Sequence, residues 1–441
     1  MSNDYTSAHS PALNNVKLRI ATGAITCGGL AHYLAGLDAA MRSYVPQDCE
    51  VVGSPFVDPL DASSRSLRLD TLSRSLRRSA VSCLKVLPPL YATALWAYAQ
   101  IPRRRRDADG WQTNREKIDN DIVCLIPHAA INDLGRLDRY YAEISVRTFV
   151  WVIHDLHGYH FPDQWRPEDI ALMQKRFSNL ASRAAAVIVH NEYTAKDVME
   201  KLAIPGHKIF IAHLPAIFSQ RGCIDGEEKD AAVLKKYEID APYALWASSY
   251  TFSHKNHERL LSAWRLLGER QVSLKLVCTG SKAPRWEVVR RLISDLRLED
   301  RVIFTDVVSN AELGAIMRNA KLAVCPTLFE GGGCGPASEA ILAGIPVVVS
   351  DIPQIMEQFN GRKDLCTFFD PNSVEAIAGA VQEVLNNYES AIRRSQWAAR
   401  EFPMMRSWEA VAEVYWNAVV SVSRNQQGEC GSQVKLGDYG R

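Results

Sequence analysis

The 441-residue sequence lacks a basic excess: 51 Lys and Arg stand against 50 Asp and Glu, a formal charge of +1. That balance excludes a global nucleic-acid binder, which carries a clear surplus of positive charge. The ten cysteines are scattered and include no CxxC pair, so neither a disulfide framework nor a zinc site is expected. Cys124, Cys278 and Cys325 lie inside apolar, strand-like runs and read as small buried hydrophobes of a reducing compartment. The polar start, Met1 to Asn15, has no basic segment leading into an apolar one, which predicts no secretory leader and a cytoplasmic location. A membrane span is not expected either, because the uncharged run Val86–Pro102 is broken by Pro88-Pro89. No carboxylate cluster and no Cys/His ligand spacing appears, so neither a metal nor a cofactor is expected.

What is present is ordinary globular composition, 47% hydrophobic and 23% charged, in a chain about three times the ~150-residue domain prior. Short β-rich runs alternate with helical patterns, the signature of parallel βαβ construction. In the first half these runs are Val16–Thr22, Cys49–Gly53, Asp121–Ile126, Phe149–Ile153 and Ala186–Val189. In the second half they are Tyr243–Ala247, Leu274–Cys278, Val302–Phe304, Leu322–Cys325, Val347–Ser350 and Thr367–Phe369. Pro215–Tyr237 has no strand pattern and reads as an interdomain linker. The expected architecture is α/β, with two doubly wound parallel-sheet domains facing a central cleft: residues 1–220, and residues 238–402. A closing helix at 403–424, N-capped by Ser407, is expected to pack back on the first domain, followed by a loose tail at 425–441. Ligands of such sheets bind outside the carboxyl ends of the strands, so residues directly after strands are the first candidates for chemistry.

Four segments meet that condition. The run from Phe329-Glu330-Gly331-Gly332-Gly333-Cys334-Gly335-Pro336 to Ser338-Glu339-Ala340 follows a strand with four glycines and then opens a helix at Pro336. Such a loop lets backbone N–H groups approach a ligand, and the helix N-terminus offers a positive dipole end to a phosphate. Glu330 and Glu339 can turn acceptors toward hydroxyl groups. The segment Ser253-His254-Lys255-Asn256-His257 follows the first strand of the second domain and places an ammonium beside the sheet edge, where it could neutralise a diphosphate. Val152-Ile153-His154-Asp155 ends a strand with a candidate sugar or acceptor contact at His154, while Asp155 reads as a structural cap. Gly23-Ala24-Ile25-Thr26-Cys27-Gly28-Gly29 follows the first strand, and Gly28 or Gly29 could close on donor phosphates or the acceptor.

Together these segments resemble the retaining nucleotide-sugar glycosyltransferases of family four (GT4, glycosyltransferase group 1), which have the GT-B fold of two Rossmann-like domains. The resemblance spans roughly residues 16–58 and 120–420. It implies that Glu339 holds the ribose hydroxyls, Glu330 the donor-sugar hydroxyls and Lys255 the diphosphate, with Lys255, Glu330 and His154 as the catalytic set. Donor binding would further involve Gly331, Gly332, Gly333, Gly335, Pro336, His254, Asn256, and the backbone at Gly280 and Val308. The chain departs from the family in two places. Eight residues separate Glu330 from Glu339 where seven are usual, and no Arg occurs between Tyr237 and Arg259, where many members carry a second cation. His254 is expected to substitute in part, making donor binding pH-sensitive near its ordinary pKa of ~6.5. Asn191, in Val189-His190-Asn191-Glu192-Tyr193-Thr194, stands where the family usually has Ser.

The expected activity is retaining, metal-independent transfer of a hexose from a GDP- or UDP-sugar, GDP-mannose preferred, to a hydroxyl of a lipid-linked or polysaccharide acceptor in cell-surface polysaccharide biosynthesis. The rivals are a non-catalytic GT-B subunit that binds a nucleotide sugar or a partner, and a nucleotide-sugar epimerase. Base, sugar, acceptor and oligomeric state are not readable from the residues. One stretch stands apart: residues 61–118 hold 12 Lys/Arg against 5 Asp/Glu, a net of +7 that leaves −6 for the rest. Its basic amphipathic pattern and Trp96 and Tyr98 suit a membrane interface with anionic lipid, or an inserted helical pair on the first domain. That would make the protein peripheral on the inner membrane face.

Overall fold

The computed structural model describes residues 17–20, 29–45, 50–53, 123–127, 148–215, 227–250, 252–281, 286–402 and 406–426. The glycine loop Gly23–Gly28, the basic stretch 61–118 and the tail 427–441 lie outside the described residues. The first domain contains β1 (Lys17–Ile20), α1 (Gly29–Tyr44), β2 (Glu50–Gly53), β3 (Val123–Pro127), β4 (Phe149–Val152), α2 (His157–His160), α3 (Pro167–Arg183), β5 (Ala186–Val189), α4 (Glu192–Leu202) and β6 (Ile209–Ile211). The second contains α5 (Glu227–Lys236), β7 (Tyr243–Ala247), α6 (His257–Glu269), β8 (Lys275–Thr279), α7 (Trp286–Asp295), β9 (Val302–Asp306), α8 (Asn310–Arg318), β10 (Leu322–Cys325), α9 (Gly335–Leu342), β11 (Val347–Ser350), α10 (Pro353–Gln358), β12 (Thr367–Phe369), α11 (Val374–Asn386) and α12 (Tyr388–Glu401). A final helix, α13 (Trp408–Gln426), follows.

The strands form two six-stranded sheets, ordered β2-β1-β3-β4-β5-β6 and β12-β11-β10-β7-β8-β9, with every pairing parallel. Parallel sheets of this kind are covered on both faces, which is why their strands are apolar throughout rather than alternating. In β4, Phe149 and Trp151 face α3 and α4 through Phe177, Leu180 and Val198. Val150 and Val152 point the other way, into a cluster built from Tyr33, Leu37 and Met41 of α1 and Val411, Tyr415 and Val419 of α13. α13 therefore completes the covering of the first sheet although it follows the second in sequence. Ser407 accepts a hydrogen bond from Ala410 N at 3.2 Å at its start, and a Cβ on Gly36 would lie 2.2 Å from the Trp408 ring.

Two elements differ from expectation. β6 was not anticipated: it is a three-residue edge strand in which only Ile209 is fully buried, too short to leave a pattern. The stretch Pro215–Tyr237, expected as a strandless linker, contains α5. That helix is tied to α8, because Arg318 grips Asp230 with two hydrogen bonds at 2.6 and 3.1 Å and Asn319 adds a third at 3.0 Å. Glu227 and Glu228 open α5, where the helix dipole favours negative charge.

Candidate active site

Sheet connectivity dictates the centre of the site. In the second sheet the winding reverses between β7 and β10, which are neighbours with Leu322 beside Ala244 and Ala323 beside Leu245. Ligands of open α/β sheets bind outside the carboxyl ends of the strands at such a reversal. From β7 the chain enters a 3-10 turn, Ser253–Lys255; from β10 it runs to Glu330. The two ends converge, and Lys255 Nζ donates to Glu330 Oε1 at 2.7 Å, with side chains 21% and 12% exposed. Burial alone would lower the Lys255 pKa. The Glu330 carboxylate, with Cys334 and Asp155 adding to it, outweighs that effect and raises it, so the ammonium is charged at any physiological pH.

The neighbours of Lys255 correct two expectations. Asn256 adopts a left-handed backbone (φ 61°), which asparagine tolerates better than most residues. Its amide donates both hydrogens, to Pro326 O and Pro371 O, each at 2.8 Å, and its Oδ1 accepts from Arg259 at 3.1 Å. No donor hydrogen remains for a ligand; Asn256 instead ties the turn to the ends of β10 and β12. His254 is buried, its ring 4.4 Å from His157 and 5.6 Å from Phe252. Burial, reinforced by Lys255, His157 and His257, pushes its pKa far below the ordinary value, so it is neutral at working pH and does not replace the missing arginine.

The glycine-rich loop also departs from expectation. A Cβ on Gly331 would lie 2.4 Å from His154 O and 2.5 Å from Asp155 Cβ, and one on Gly332 2.5 Å from Leu214 Cδ1. At Gly331 the backbone and Asp155 Cβ of the first domain exclude a side chain, whereas at Gly332 the nearest atom is the tip of the flexible Leu214 side chain. Gly333 has φ +106° and fits against Gln358. Gln358 accepts from Cys334 N at 2.7 Å and donates to Cys334 O at 3.1 Å and to Ser338 Oγ at 2.6 Å, holding the start of α9. At Gly335, the first residue of α9, an added Cβ would meet nothing within 4 Å. Pro336 occupies the first turn and Glu339, 9% exposed, the next. Farther along the same sheet edge, Gly280 has φ +133°, and an added Cβ would lie 2.8 Å from the Ser248–Ser249 backbone, so its glycine is explained within the domain. Val308 packs half-buried against the second core. A groove of about 730 Å³ between α6 and α7, lined in part by Arg259, Arg291 and Leu328, lies beside Asn256 rather than over the Lys255–Glu330 pair.

From the first domain come the ends of β4 and β5, adjacent in the sheet. His154 Nδ1 and His190 Nε2 are 2.7 Å apart, and His190 Nδ1 is 3.0 Å from Ala212 O. A carbonyl only accepts, so His190 carries its hydrogen on Nδ1 and takes one from His154 Nδ1; the basic nitrogen of His154 is then Nε2. Tyr33 lies edge-on to both rings at 5.1 and 5.2 Å. Asp155 Oδ1 accepts from His157 N, the first amide of α2, at 2.9 Å, while the N-cap itself is Leu156. Gly29 opens α1, while Gly28 lies outside the described residues.

His190 provides a pH prediction. Burial, only partly offset by the Ala212 carbonyl and Asp155, pushes its pKa down to about 4. The unfolded side chain titrates near ~6.5, so below that pH the unfolded chain takes up a proton the folded one refuses, and stability falls as the pH drops toward 4. The loss amounts to on the order of 3 kcal/mol and levels off once both states are protonated. Thermal unfolding followed from pH 7 to 4.5 should show a steeper decline for the wild type than for His190→Gln. Parallel slopes would remove this assignment.

The structure thus gathers Lys255, Glu330, Gly331, His154 and Asp155, sets Gly335, Pro336 and Glu339 on the adjoining helix, and leaves Gly280 and Val308 at the ends of β8 and β9. His190, Thr194, Glu357 and Gln358 were not singled out from the sequence as site residues. For His190 the signal was available, since it directly follows β5 as His154 follows β4.

Residues 234–401, within the second domain, match the family model of glycosyl transferases group 1. The MMP alpha-(1->4)-mannosyltransferase of Mycolicibacterium hassiacum is 28% identical over 163 residues, 36% of this chain and 39% of that protein. The O-antigen chain mannosyltransferase RfbU of Salmonella typhimurium is 24% identical over 258 residues, 58% of this chain and 66% of that protein. The chain thus spans 39% and 66% of these two relatives. Among solved structures, HepE of Anabaena in complex with UDP and glucose superposes with a TM-score of 0.59 at 13% identity, over 92% of this chain and 100% of that one. The expected GT-B architecture of two parallel-sheet α/β domains is the observed one. Among the described residues, no helix is long and apolar enough to cross a membrane.

Proposed function

We propose that this GT-B protein is a group 1 glycosyltransferase that moves a hexose, with mannose from a GDP-sugar preferred over UDP-hexoses, to a hydroxyl of a lipid-linked or polysaccharide acceptor, with retention. The observation that carries the reading is the Lys255–Glu330 pair at the winding reversal of the second sheet, facing His154 and Asp155 across the cleft. A nucleotide diphosphate leaving group gains negative charge as the glycosidic bond breaks. The ammonium of Lys255 and the N-terminus of α9, open in front of Gly335, supply fixed positive charge for it. Glu330 steadies Lys255 and accepts from sugar hydroxyls, His154 contacts the sugar, and Glu339 takes the ribose. Metal-independent chemistry fits this charge arrangement, and the departing phosphate itself can accept the acceptor's proton on the same face, the geometry that retention requires.

Mannose is favoured because the two relatives are named as mannosyltransferases. The net +7 of residues 61–118 supports an acceptor presented at an anionic membrane surface, which sedimentation with anionic vesicles before and after deletion of that stretch would test.

The main test is a panel of nucleotide sugars scored for thermal stabilisation and then for donor consumption. A GDP- or UDP-hexose should stabilise the protein and be slowly hydrolysed without acceptor, and NMR of the transfer product should show the donor's anomeric configuration. Glu339→Ala should weaken nucleotide affinity about tenfold, the scale of one hydrogen bond to a charged group. Binding without consumption would indicate a non-catalytic subunit, and conversion to another nucleotide sugar an epimerase.

A further inference from the structure

The N-terminus of α4 belongs to the first domain, yet the second domain satisfies much of it. Asn191 is the N-cap, its Oδ1 accepting from Thr194 N at 2.7 Å. The other end of the same amide crosses the cleft, and Nδ2 donates to Gly331 O at 2.6 Å. Thr194 Oγ1 donates to that carbonyl as well, at 3.2 Å. Both side chains are buried, at 3% and 1% exposure. One residue on, Glu192 N donates to both carboxylate oxygens of Glu357 in α10, at 2.7 and 2.9 Å. Helix starts leave backbone N–H groups that caps, water or ligands must satisfy; here a cap residue and a first-turn amide are bonded to the other domain.

The carbonyl being held is that of the residue after Glu330. Gly331 O belongs to the Gly331–Gly332 peptide, so gripping it anchors the loop one residue beyond Glu330, whose carboxylate meets Lys255. We propose that Asn191 and Thr194 are positioning residues, an interdomain catch that draws the glycine-rich loop onto α4 and so sets Glu330 against Lys255 when the domains are closed. The inference rests on the transferase reading above for its catalytic consequence, though not for the catch itself. On opening, each bond is exchanged for one to water, so the catch selects a position without locking the cleft.

Asparagine is needed for two tasks at once, which makes them separable. Asp caps a helix as well as Asn, so Asn191→Asp keeps the bond to Thr194 N. It replaces the donor facing Gly331 O by a carboxylate oxygen, and acceptor would meet acceptor. Thr194→Val removes the second donor at nearly constant shape.

The experiment compares wild type, Asn191→Asp and Thr194→Val by hydrogen–deuterium exchange over residues 328–335 and by transfer kinetics. Expected for Asn191→Asp are faster exchange in that loop, a lower melting temperature because the buried carboxylate has no donor to face, unchanged affinity for the nucleoside diphosphate, and kcat lower by about tenfold, the scale of one unpaired buried carbonyl. Thr194→Val should show the same pattern more weakly. A folded Asp variant with wild-type exchange in residues 328–335 overturns the catch whatever its activity. Faster exchange with unchanged kcat overturns the positioning role. A wild type that consumes no nucleotide sugar sinks the transferase reading instead, and the exchange comparison still decides the catch.

Discussion

Lys255→Ala is expected to lower sugar transfer about 10²–10³-fold, the loss typical when one preorganised contact to a developing charge is removed. The reasoning starts from position. Lys255 stands at the reversal of the second sheet, and its ammonium is held charged by Glu330 at 2.7 Å against the lowering effect of burial. His254, the nearest substitute in the sequence, is buried and neutral, so it cannot supply the missing charge. The substitution also leaves Glu330, 12% exposed, without its partner, and a melting-temperature shift should accompany the kinetic loss. Lys255→Ala with Glu330→Gln removes the stranded charge; stability should recover while turnover stays low. Full turnover in either folded variant would remove Lys255 from the mechanism.

Gly331→Ala is expected to cost about 10²-fold in turnover, comparable to a displacement of about 1 Å at a catalytic group. The new Cβ would sit 2.4 Å from His154 O and 2.5 Å from Asp155 Cβ. These atoms belong to the backbone and the base of a side chain at the end of β4, so no flexible tip can swing away. Either the loop retreats, carrying Glu330 from Lys255, or the two domains part. Gly379→Ala, within α11 and away from the loop, is the control, since its Cβ would meet nothing within 4 Å and the fold should be indifferent to it. Steady-state kinetics and solution scattering of the two variants provide the comparison. Wild-type turnover in Gly331→Ala would mean that the loop does not press on the segment after β4 during transfer.

The order of strands and helices was legible because a parallel sheet covered on both faces needs unbroken apolar runs, and those runs are visible in the residues. Each strand except β6 was anticipated to within a few positions. β6 escaped because an edge strand of three residues, Ile209–Ile211, buries little and leaves no pattern. α5 escaped because the absence of a strand pattern over Pro215–Tyr237 does not distinguish a linker from a short, mostly polar helix. At the site, the strand-end rule was enough to single out Lys255, Glu330 and His154. It could not say that Lys255 and Glu330, 75 residues apart, would form one ion pair, because that depends on β7 and β10 being neighbours.

Composition and pattern alone determined that this is a two-sheet α/β protein and directed attention to the carboxyl ends of its strands, since hydrophobic period and glycine placement are local properties of the chain. Tertiary structure alone decided what each local signal was for. Glycine reports that a Cβ is excluded but not by what, and at Gly331 the excluding atoms belong to the other domain. Histidine reports a titratable ring but not its charge, and burial left His254 neutral. Asparagine reports donors and an acceptor but not their partners; those of Asn256 are two carbonyls and a guanidinium of its own domain, whereas the amide of Asn191 reaches across the cleft. Exclusion, desolvation and pairing are properties of neighbours, and neighbours distant in sequence are assigned only by the fold.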